Sequence, residues 1–156
     1  QKKTLTTQVP FQPVKDSIAN YSIDFFPKKL FNVWPMETAV GGGPVLVQNN
    51  EVKITNLEEF KFTGKAIHDK HPRTAIGYLK KKELIILVIQ GRFPSIAEGA
   101  TLLQTAQILK ELGCIEAMNL DGGGSSCLLI NGKGTIQPSD KTGQRAVPAV
   151  LLIKQN

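Results

Sequence analysis

Cysteine, histidine and tryptophan are scarce in this sequence of 156 residues, which contains 2 cysteines, 2 histidines and 1 tryptophan. The two cysteines, Cys114 and Cys127, allow at most one disulfide, and two free thiols fit the sequence equally well. The histidines, His68 and His71, lie on either side of Asp69 at a spacing that superficially suggests a metal site. No further ligand follows in a recognisable pattern, so we expect neither a metal nor another cofactor.

Long apolar runs are also missing, and none approaches the roughly 20 residues that a membrane helix needs. We therefore expect no membrane span. No signal peptide is visible, and the chain begins at Gln1 without a methionine, so we expect that residues upstream were removed. Acidic residues (13) are fewer than basic residues (19), which gives a net charge of +6. The basic residues are scattered, and their largest cluster, Lys80–Lys82, is typical of a hairpin turn, so a nucleic-acid partner is not expected.

Glycine, in contrast, occurs in clusters, and the most informative one lies in the stretch Asn119–Cys127. This cluster consists of Asp121, Gly122, Gly123, Gly124, Ser125 and Ser126. Three consecutive glycines are costly to order, because each loses more backbone entropy than any other residue. They indicate a backbone that turns sharply and lets another group approach closely. Beside Asp121, such a turn predicts a site for an oxygen-rich ligand; a plain glycine turn, with Asp121 bonding its own backbone, is the alternative.

The remaining pattern predicts an α+β fold, in which a mixed, largely antiparallel sheet with hairpins packs on one principal helix at about residues 101–112. Thr101 is a favourable N-cap, Gln104 completes a capping box, and Gly113 is placed to end the helix. The run Leu84–Ile89 predicts a central strand that is buried on both faces. Further strands are expected at 20–26, 45–47, 52–54, 73–79, 115–120, 126–130, 134–137 and 147–153.

Four charged or glycine-rich clusters lie at the ends of predicted strands. They are Gly41–Pro44, His71–Arg73, Gln90–Arg92 and Asp121–Ser126. If the strands share one sheet, we expect several of these clusters to meet at one edge. Arg73 and Arg92 then present planar groups that suit phosphate or carboxylate, and the N–H groups of Gly122–Gly124 form an anion-binding nest. For each arginine, a surface ion pair is the alternative.

Three carboxylates are candidates for acid–base chemistry. Asp121 is the first choice, because it lies at the start of the glycine cluster. For Asp140, a turn residue is the alternative, and for Glu98 the alternative is an interaction with the dipole of the following helix.

Several short segments follow one another in an order that resembles a known family. They are Gly41-Gly42-Gly43-Pro44, Arg73-Thr74-Ala75-Ile76-Gly77, Gly91-Arg92, Glu98-Gly99-Ala100-Thr101-Leu102, Asn119-Leu120-Asp121-Gly122-Gly123-Gly124-Ser125-Ser126, Pro138-Ser139-Asp140 and Arg145-Ala146-Val147-Pro148. Over roughly residues 34–153 the set resembles the phosphodiester glycosidase family. The resemblance implies hydrolysis at the anomeric carbon of a sugar 1-phosphodiester, with a carbohydrate or sugar-phosphate partner. It also implies a secreted, periplasmic or cell-envelope location.

The residue patterns and the resemblance together indicate which residues act. Asp121, with Glu98 and Asp140, is expected to be catalytic. Substrate binding is expected of Gly42, Gly43, Arg73, Thr74, Arg92, Gly122, Gly123, Gly124, Ser125, Ser126 and Arg145.

The sequence departs from the family pattern at Gln90, Gln104 and Gln144, where the family usually has acids. An amide does not titrate, so Gln90 and Gln144 cannot serve as general acid or base. An N-terminal motif of the family has no counterpart in residues 1–33, which we interpret as an arm or the remnant of a longer part, before a domain at 34–156. Two alternatives therefore stay open: a weakened or inactive glycan- or phosphoglycan-binding domain, and a structural envelope domain whose glycine turns only shape the fold.

Overall fold

A computed structural model describes residues 5–6, 32–33, 39–59 and 62–154 of the chain. Within the predicted N-terminal arm it contains two short strands, β1 (Leu5–Thr6) and β2 (Asn32–Val33), which pair antiparallel. The strand predicted at 20–26 lies outside the described residues.

A five-stranded sheet organises the rest of the fold. Its strands are β3 (Val45–Gln48), β4 (Glu51–Val52), β5 (Arg73–Leu79), β6 (Leu84–Ile89) and β7 (Cys114–Asn119). Their spatial order is β4-β3-β7-β5-β6, and each neighbouring pair is antiparallel. The prediction of a largely antiparallel sheet is confirmed, and β7, the strand that leads into the glycine cluster, is its central strand.

Helix α2 (Leu102–Glu111) is the principal helix that the sequence predicts. The Thr101 hydroxyl accepts a hydrogen bond from the Gln104 N–H, and the Gln104 amide oxygen accepts one from the Thr101 N–H. Gly113, at φ 90°, follows the helix end in the left-handed conformation that glycine favours. The helix packs on the sheet through one buried apolar cluster. Its members are Leu46, Val47, Ala75, Leu102, Ala106, Leu109, Cys114 and Ala117.

The smaller elements lie between and after these parts. They are α1 (Asn56–Glu59), 3₁₀ turns at Gly64–Ile67 and Gly123–Ser125, β8 (Leu129–Ile130) and β9 (Lys133–Gly134). The strands expected at 126–130 and 134–137 form the β8–β9 hairpin, which turns through Asn131 and Gly132, both at positive φ. Both strands are shorter than expected. Cys114 is buried and Cys127 is exposed, and both are free thiols.

Two strand predictions are wrong. β6 is an edge strand and is partly exposed, because a tight turn pairs it with β5 while β7 occupies the other side of β5. Its hydrophobic run does not encode which strands become its neighbours. Residues 147–153 contain no strand, and the side chains of Val150 and Leu152 are 79% and 82% exposed. Pro148 lacks a donor for a strand ladder, and none of the described strands pairs with this segment.

The antiparallel order determines where the site forms. Because neighbouring strands alternate in direction, β3 and β5 begin at the same end of the sheet where β6 and β7 finish. The register supports this, since Val45 lies opposite Met118 and Arg73 lies opposite Ile89. All four strand-end clusters that the sequence singles out therefore meet at one end of the sheet.

Candidate active site

A cavity of about 580 Å³ opens at this end of the sheet. Its volume lies in the range of small-molecule sites, roughly 300–1,000 Å³. Of the predicted site residues, the cavity is lined by Gly42, Gly43, Arg73, Arg92, Asp121, Gly122, Gly123 and Arg145. The predicted site residues outside the lining are Thr74, Glu98, Gly124, Ser125, Ser126 and Asp140. Each of the four strand-end clusters contributes to the wall, so the expectation that they meet is confirmed.

Arg73 is the most deeply buried charge of the cavity, with only 4% of its surface exposed. Its Nε donates to the Ala100 carbonyl at 2.9 Å, and one terminal nitrogen donates to the Asp69 carbonyl at 3.1 Å. Burial lowers the pKa of Arg73 from its ordinary value. Among the described residues no carboxylate pairs with Arg73, so its remaining N–H groups are available to an anion in the cavity.

Asp140 holds the other two arginines of the cavity. Its Oδ1 lies 3.3 Å from a terminal nitrogen of Arg92, and its Oδ2 accepts from Arg145 Nε at 3.0 Å and from a terminal nitrogen at 2.8 Å. Arg92 has a φ of 65°, an uncommon conformation for a residue other than glycine that tends to occur at functional sites. This geometry favours a positioning role for Asp140, since its carboxylate is occupied by two guanidinium groups.

Each glycine of the triplet lets a different group approach closely. A Cβ on Gly122 would lie 2.8 Å from the Pro72 carbonyl oxygen, and a Cβ on Gly123 would lie 3.0 Å from the Arg92 guanidinium. A Cβ on Gly124 would overlap the Asp140 carboxylate. The three glycines therefore allow the loop that follows β7 (residues 121–126, the β7 loop) to pack against Pro72, Arg92 and Asp140 at once.

The predicted nest of N–H donors is only partly available. The Gly123 N–H donates to the Pro72 carbonyl at 2.9 Å, so this donor holds the loop to β5 instead of facing a ligand. The Ser126 hydroxyl is buried and accepts from the Thr74 hydroxyl at 3.2 Å. Thr74 and Ser126 therefore hold the loop and the strand together from outside the cavity.

Asp121 and Glu98, the two other carboxylate candidates, differ in their position relative to the cavity. The exposed Asp121 lines the cavity. Glu98 lies outside it and pairs with Lys70 at 2.6 Å, and the hydrogen bond from Lys70 lowers the pKa of Glu98. Among the described residues, Asp121 is the carboxylate that a ligand in the cavity would meet.

His71 and Asn119 line the cavity but are not among the predicted site residues. Both have a buried side-chain atom, Nδ1 of His71 and Oδ1 of Asn119, without a hydrogen-bond partner among the described residues. Burial, followed by the positive charges of Arg73 and Arg92, lowers the pKa of His71 from its ordinary value of 6.5, against an opposing effect of Asp69. His71 lies just before β5 and Asn119 ends β7, and each is next to predicted site residues. These positions are the signal in the sequence that could have identified the two residues.

The glutamines at family acid positions make structural contacts here. The Gln90 side chain accepts from the Gln137 N–H at 2.7 Å, and Gln104 caps α2. The Gln144 amide donates to the Gly124 carbonyl at 3.3 Å and to the Arg145 carbonyl at 3.2 Å. A carboxylate cannot donate these two bonds, so an amide suits the Gln144 position. None of the three glutamines lines the cavity.

The described parts of the chain contain no group of three or more His, Cys, Asp or Glu side chains arranged to hold a metal ion. No helix described in the structure has the length and apolar character that crossing a membrane requires.

A family model described as phosphodiester glycosidase matches residues 7–154 of the chain. The chain belongs to the phosphodiester glycosidase family. Among its relatives, the N-acetylglucosamine-1-phosphodiester alpha-N-acetylglucosaminidases of Bos taurus and Homo sapiens are 33% and 34% identical to it over 94 residues. Each alignment covers 58% of this chain and 18% of the relative, so the chain spans less than a fifth of the length of these glycosidases.

Solved structures of similar proteins also match the fold of this chain. The zebrafish N-acetylglucosamine-1-phosphodiester alpha-N-acetylglucosaminidase catalytic domain, auto-inhibited by its pro-peptide, matches with a TM-score of 0.55 and 30% identity. The match covers 65% of this chain and 35% of the zebrafish chain. A hypothetical protein from Synechocystis matches with a TM-score of 0.55 and 30% identity, over 62% of this chain and 17% of the other.

Replacing Gly124 by alanine tests the packing of the glycine triplet. We expect Gly124→Ala to lower the free energy of unfolding by about 1–3 kcal/mol, because the new methyl group displaces the Asp140 carboxylate. The matched control is Gly134→Ala, whose Cβ would find its nearest neighbour at 3.8 Å and should change stability by less than about 0.5 kcal/mol. Urea denaturation measures both variants. Equal effects in the two would contradict this packing.

The lowered pKa of His71 predicts a pH dependence of stability. The unfolded chain takes up a proton at His71 near pH 6.5, whereas the folded chain resists protonation until a lower pH. The stability linked to His71 is therefore fully present above pH 6.5 and is lost as the pH falls towards the folded pKa. We expect His71→Asn to lose less stability than wild type between about pH 7 and pH 5. Urea denaturation at the two pH values measures this difference. If wild type and His71→Asn lost the same free energy of unfolding between about pH 7 and pH 5, the pKa of His71 would not be lowered in the folded chain.

Proposed function

We propose that the chain hydrolyses the glycosidic bond of a sugar 1-phosphodiester. The observation that carries this proposal is the buried Arg73, which has no carboxylate partner among the described residues and shares one cavity with Asp121. An unpaired buried guanidinium is costly, and a bound anion offsets that cost. Membership of the phosphodiester glycosidase family makes a phosphodiester the anion of choice.

The charges of the cavity fit a singly charged anion. Arg73, Arg92 and Arg145 in the lining supply three positive charges, and Asp121 in the lining supplies one negative charge. Asp140, which pairs with Arg92 and Arg145 from outside the lining, supplies a second negative charge. A phosphodiester carries one negative charge, and its two free oxygens match the fork of N–H donors on a guanidinium. The arginines therefore form the anion subsite, and Gly122 and Gly123 give the phosphate room to approach the β7 loop.

The reaction needs a group that activates water. In the proposed step a water oxygen bonds to the anomeric carbon while the bond from that carbon to the phosphate oxygen breaks. The bonding pair leaves on the phosphate oxygen, and the Asp121 carboxylate accepts the proton of the water. The products are the free sugar and a phosphomonoester.

The leaving group explains why one carboxylate suffices. Most glycosidases need a second carboxyl group, because a sugar alkoxide leaves only when it is protonated. A phosphomonoester is a much weaker base, so guanidinium groups stabilise its developing charge without transferring a proton. Asp121 serves as the base, while Arg73, Arg92 and Arg145 stabilise the leaving phosphate.

A second candidate function is binding without turnover. It is favoured by the finding that Asp121 is the single carboxylate in the cavity lining among the described residues, together with the glutamines at family acid positions. In this alternative the same cavity holds a phosphoglycan on a secreted or envelope protein. A secreted, periplasmic or envelope location belongs to both versions of the proposal and rests on the family resemblance.

Replacing Asp121 by asparagine separates the two functions. We expect wild type to release free sugar from a glycosyl phosphodiester and Asp121→Asn to lower kcat by about 10²–10⁴-fold, because the general base is lost. The matched control is Glu98→Gln, which changes a carboxylate that pairs with Lys70 outside the cavity and should keep full turnover.

A reducing-sugar assay and calorimetry read out the result. Undiminished turnover in Asp121→Asn would refute the role of this carboxylate. Binding by wild type without turnover would support the second candidate.

A further inference from the structure

We propose that Phe62 is a positioning residue for the buried Arg73 and that Asn56 holds Phe62 in place. Neither Phe62 nor Asn56 is among the predicted site residues. Together they fix the orientation in which the Arg73 guanidinium meets a ligand. The role of Phe62 rests on the proposed function only in that the ligand of Arg73 is an anion.

The Arg73 guanidinium lies over the face of the Phe62 ring. Its central carbon, Cζ, is 6.0 Å from the centroid of that ring. Both residues line the cavity, and Arg73 is buried. The electron-rich face of an aromatic ring attracts a cation, and the attraction grows when the pair is desolvated. The ring therefore stabilises a charge that has no carboxylate partner among the described residues.

A phenyl ring leaves the donors of the guanidinium free, which a carboxylate does not. Arg73 uses one N–H on Nε for the Ala100 carbonyl and one on a terminal nitrogen for the Asp69 carbonyl. The Phe62 ring has no oxygen or nitrogen that accepts a hydrogen bond. Of the five N–H donors of a guanidinium, two are used and three therefore remain unused among the described residues. Phe62 thus stabilises the charge of Arg73 and keeps it available to an anion.

Asn56 fixes the backbone that carries this ring. Its Nδ2 donates to the Phe62 carbonyl at 2.9 Å, and its Oδ1 accepts from the Phe62 N–H at 3.0 Å. Asn56 is only 3% exposed, so water has little access to compete for these bonds. Two hydrogen bonds from one side-chain amide restrain the Phe62 backbone, and they thereby restrain the position of the ring.

Helix α1, which begins at Asn56, is itself anchored to the sheet. The Val45 N–H donates to the Thr55 hydroxyl oxygen at 3.1 Å and to the Glu59 carboxylate at 2.8 Å. The Thr55 hydroxyl donates to the same carboxylate, and the Thr55 N–H donates to the Val45 carbonyl at 3.2 Å. Val45 is the first residue of β3. A continuous set of contacts therefore runs from the sheet through α1 to the ring and the guanidinium.

The expected consequence concerns the fraction of protein in the binding orientation. Without the ring, the Arg73 side chain is held by two carbonyls alone and gains orientations that face water. The apparent affinity for an anion falls with the fraction that remains in the binding orientation. A role of Phe62 as a space-filling residue depends on its shape, whereas the positioning role depends on the electron density of its ring.

Calorimetry with dimethyl phosphate, a phosphodiester without a glycosidic bond, measures the anion subsite directly. We expect Phe62→Leu to weaken binding about threefold to tenfold, and Phe62→Tyr, which keeps the ring, to bind within about twofold of wild type. Asn56→Leu keeps the branched shape but removes both hydrogen bonds to Phe62, so it should also weaken binding. The matched control on α1 is Leu57→Gln, which changes an exposed side chain and should leave the affinity unchanged.

Fluorinated phenylalanines at position 62 separate the electron density of the ring from its shape. Each fluorine withdraws density from the ring face while the volume changes little, so the attraction for the guanidinium falls stepwise. We expect the affinity for dimethyl phosphate to fall from phenylalanine through the monofluoro and difluoro to the trifluoro analogue. Affinity that does not follow this order, or equal binding by wild type and Phe62→Leu, would overturn the inference. If Phe62→Leu does not fold, the fluorinated series decides.

The release of sugar from a glycosyl phosphodiester is measured separately, so the two proposals can fail independently. Ring-dependent binding of dimethyl phosphate without sugar release by wild type would retain the role of Phe62 and refute the hydrolase. Sugar release by wild type, with unchanged binding in Phe62→Leu, would retain the hydrolase and refute the role of Phe62. A wild type that does not bind dimethyl phosphate would refute that role as well.

Discussion

The buried positive charge of Arg73 is the constraint on which the site depends. A guanidinium that is 4% exposed loses most of its hydration, and two backbone carbonyls replace only part of it. One of those carbonyls belongs to Ala100, which also pairs with the backbone of His71, so the loop before α2 is held close to the start of β5. The Arg73 guanidinium, the His71 backbone and the loop before α2 are therefore connected through Ala100.

The β7 loop completes this arrangement because its glycines leave room for charged groups. Gly123 lets the Arg92 guanidinium approach, and Gly124 makes room for the Asp140 carboxylate that pairs with both Arg92 and Arg145. The costly order of three glycines is thus explained by contacts between side chains and the loop more than by an N–H nest. An oxygen-rich ligand, which the glycine triplet suggests from sequence, is also the ligand that the arginines favour.

Local signals in the sequence predict much of this fold. The capping box of α2, the Asn131–Gly132 turn and the antiparallel sheet follow from residue patterns that act over a few positions. Strand neighbours do not follow from such patterns, which is why Leu84–Ile89 lies at an edge although it is highly apolar. In the site, too, local residue patterns predict some features and not others.

In the site, glycines and arginines at strand ends mark the cavity, because their cost or charge is visible in the sequence. That His71 and Asn119 line the cavity depends on how the strands pair, and pairing is a property of the folded chain. A crystal structure with a phosphonate analogue of a glycosyl phosphodiester tests the central claim most directly. We predict that the phosphonate oxygens accept hydrogen bonds from Arg73 and that Asp121 faces the anomeric carbon. A phosphonate bound away from Arg73, or an Asp121 carboxylate that points out of the cavity, would contradict the proposed site.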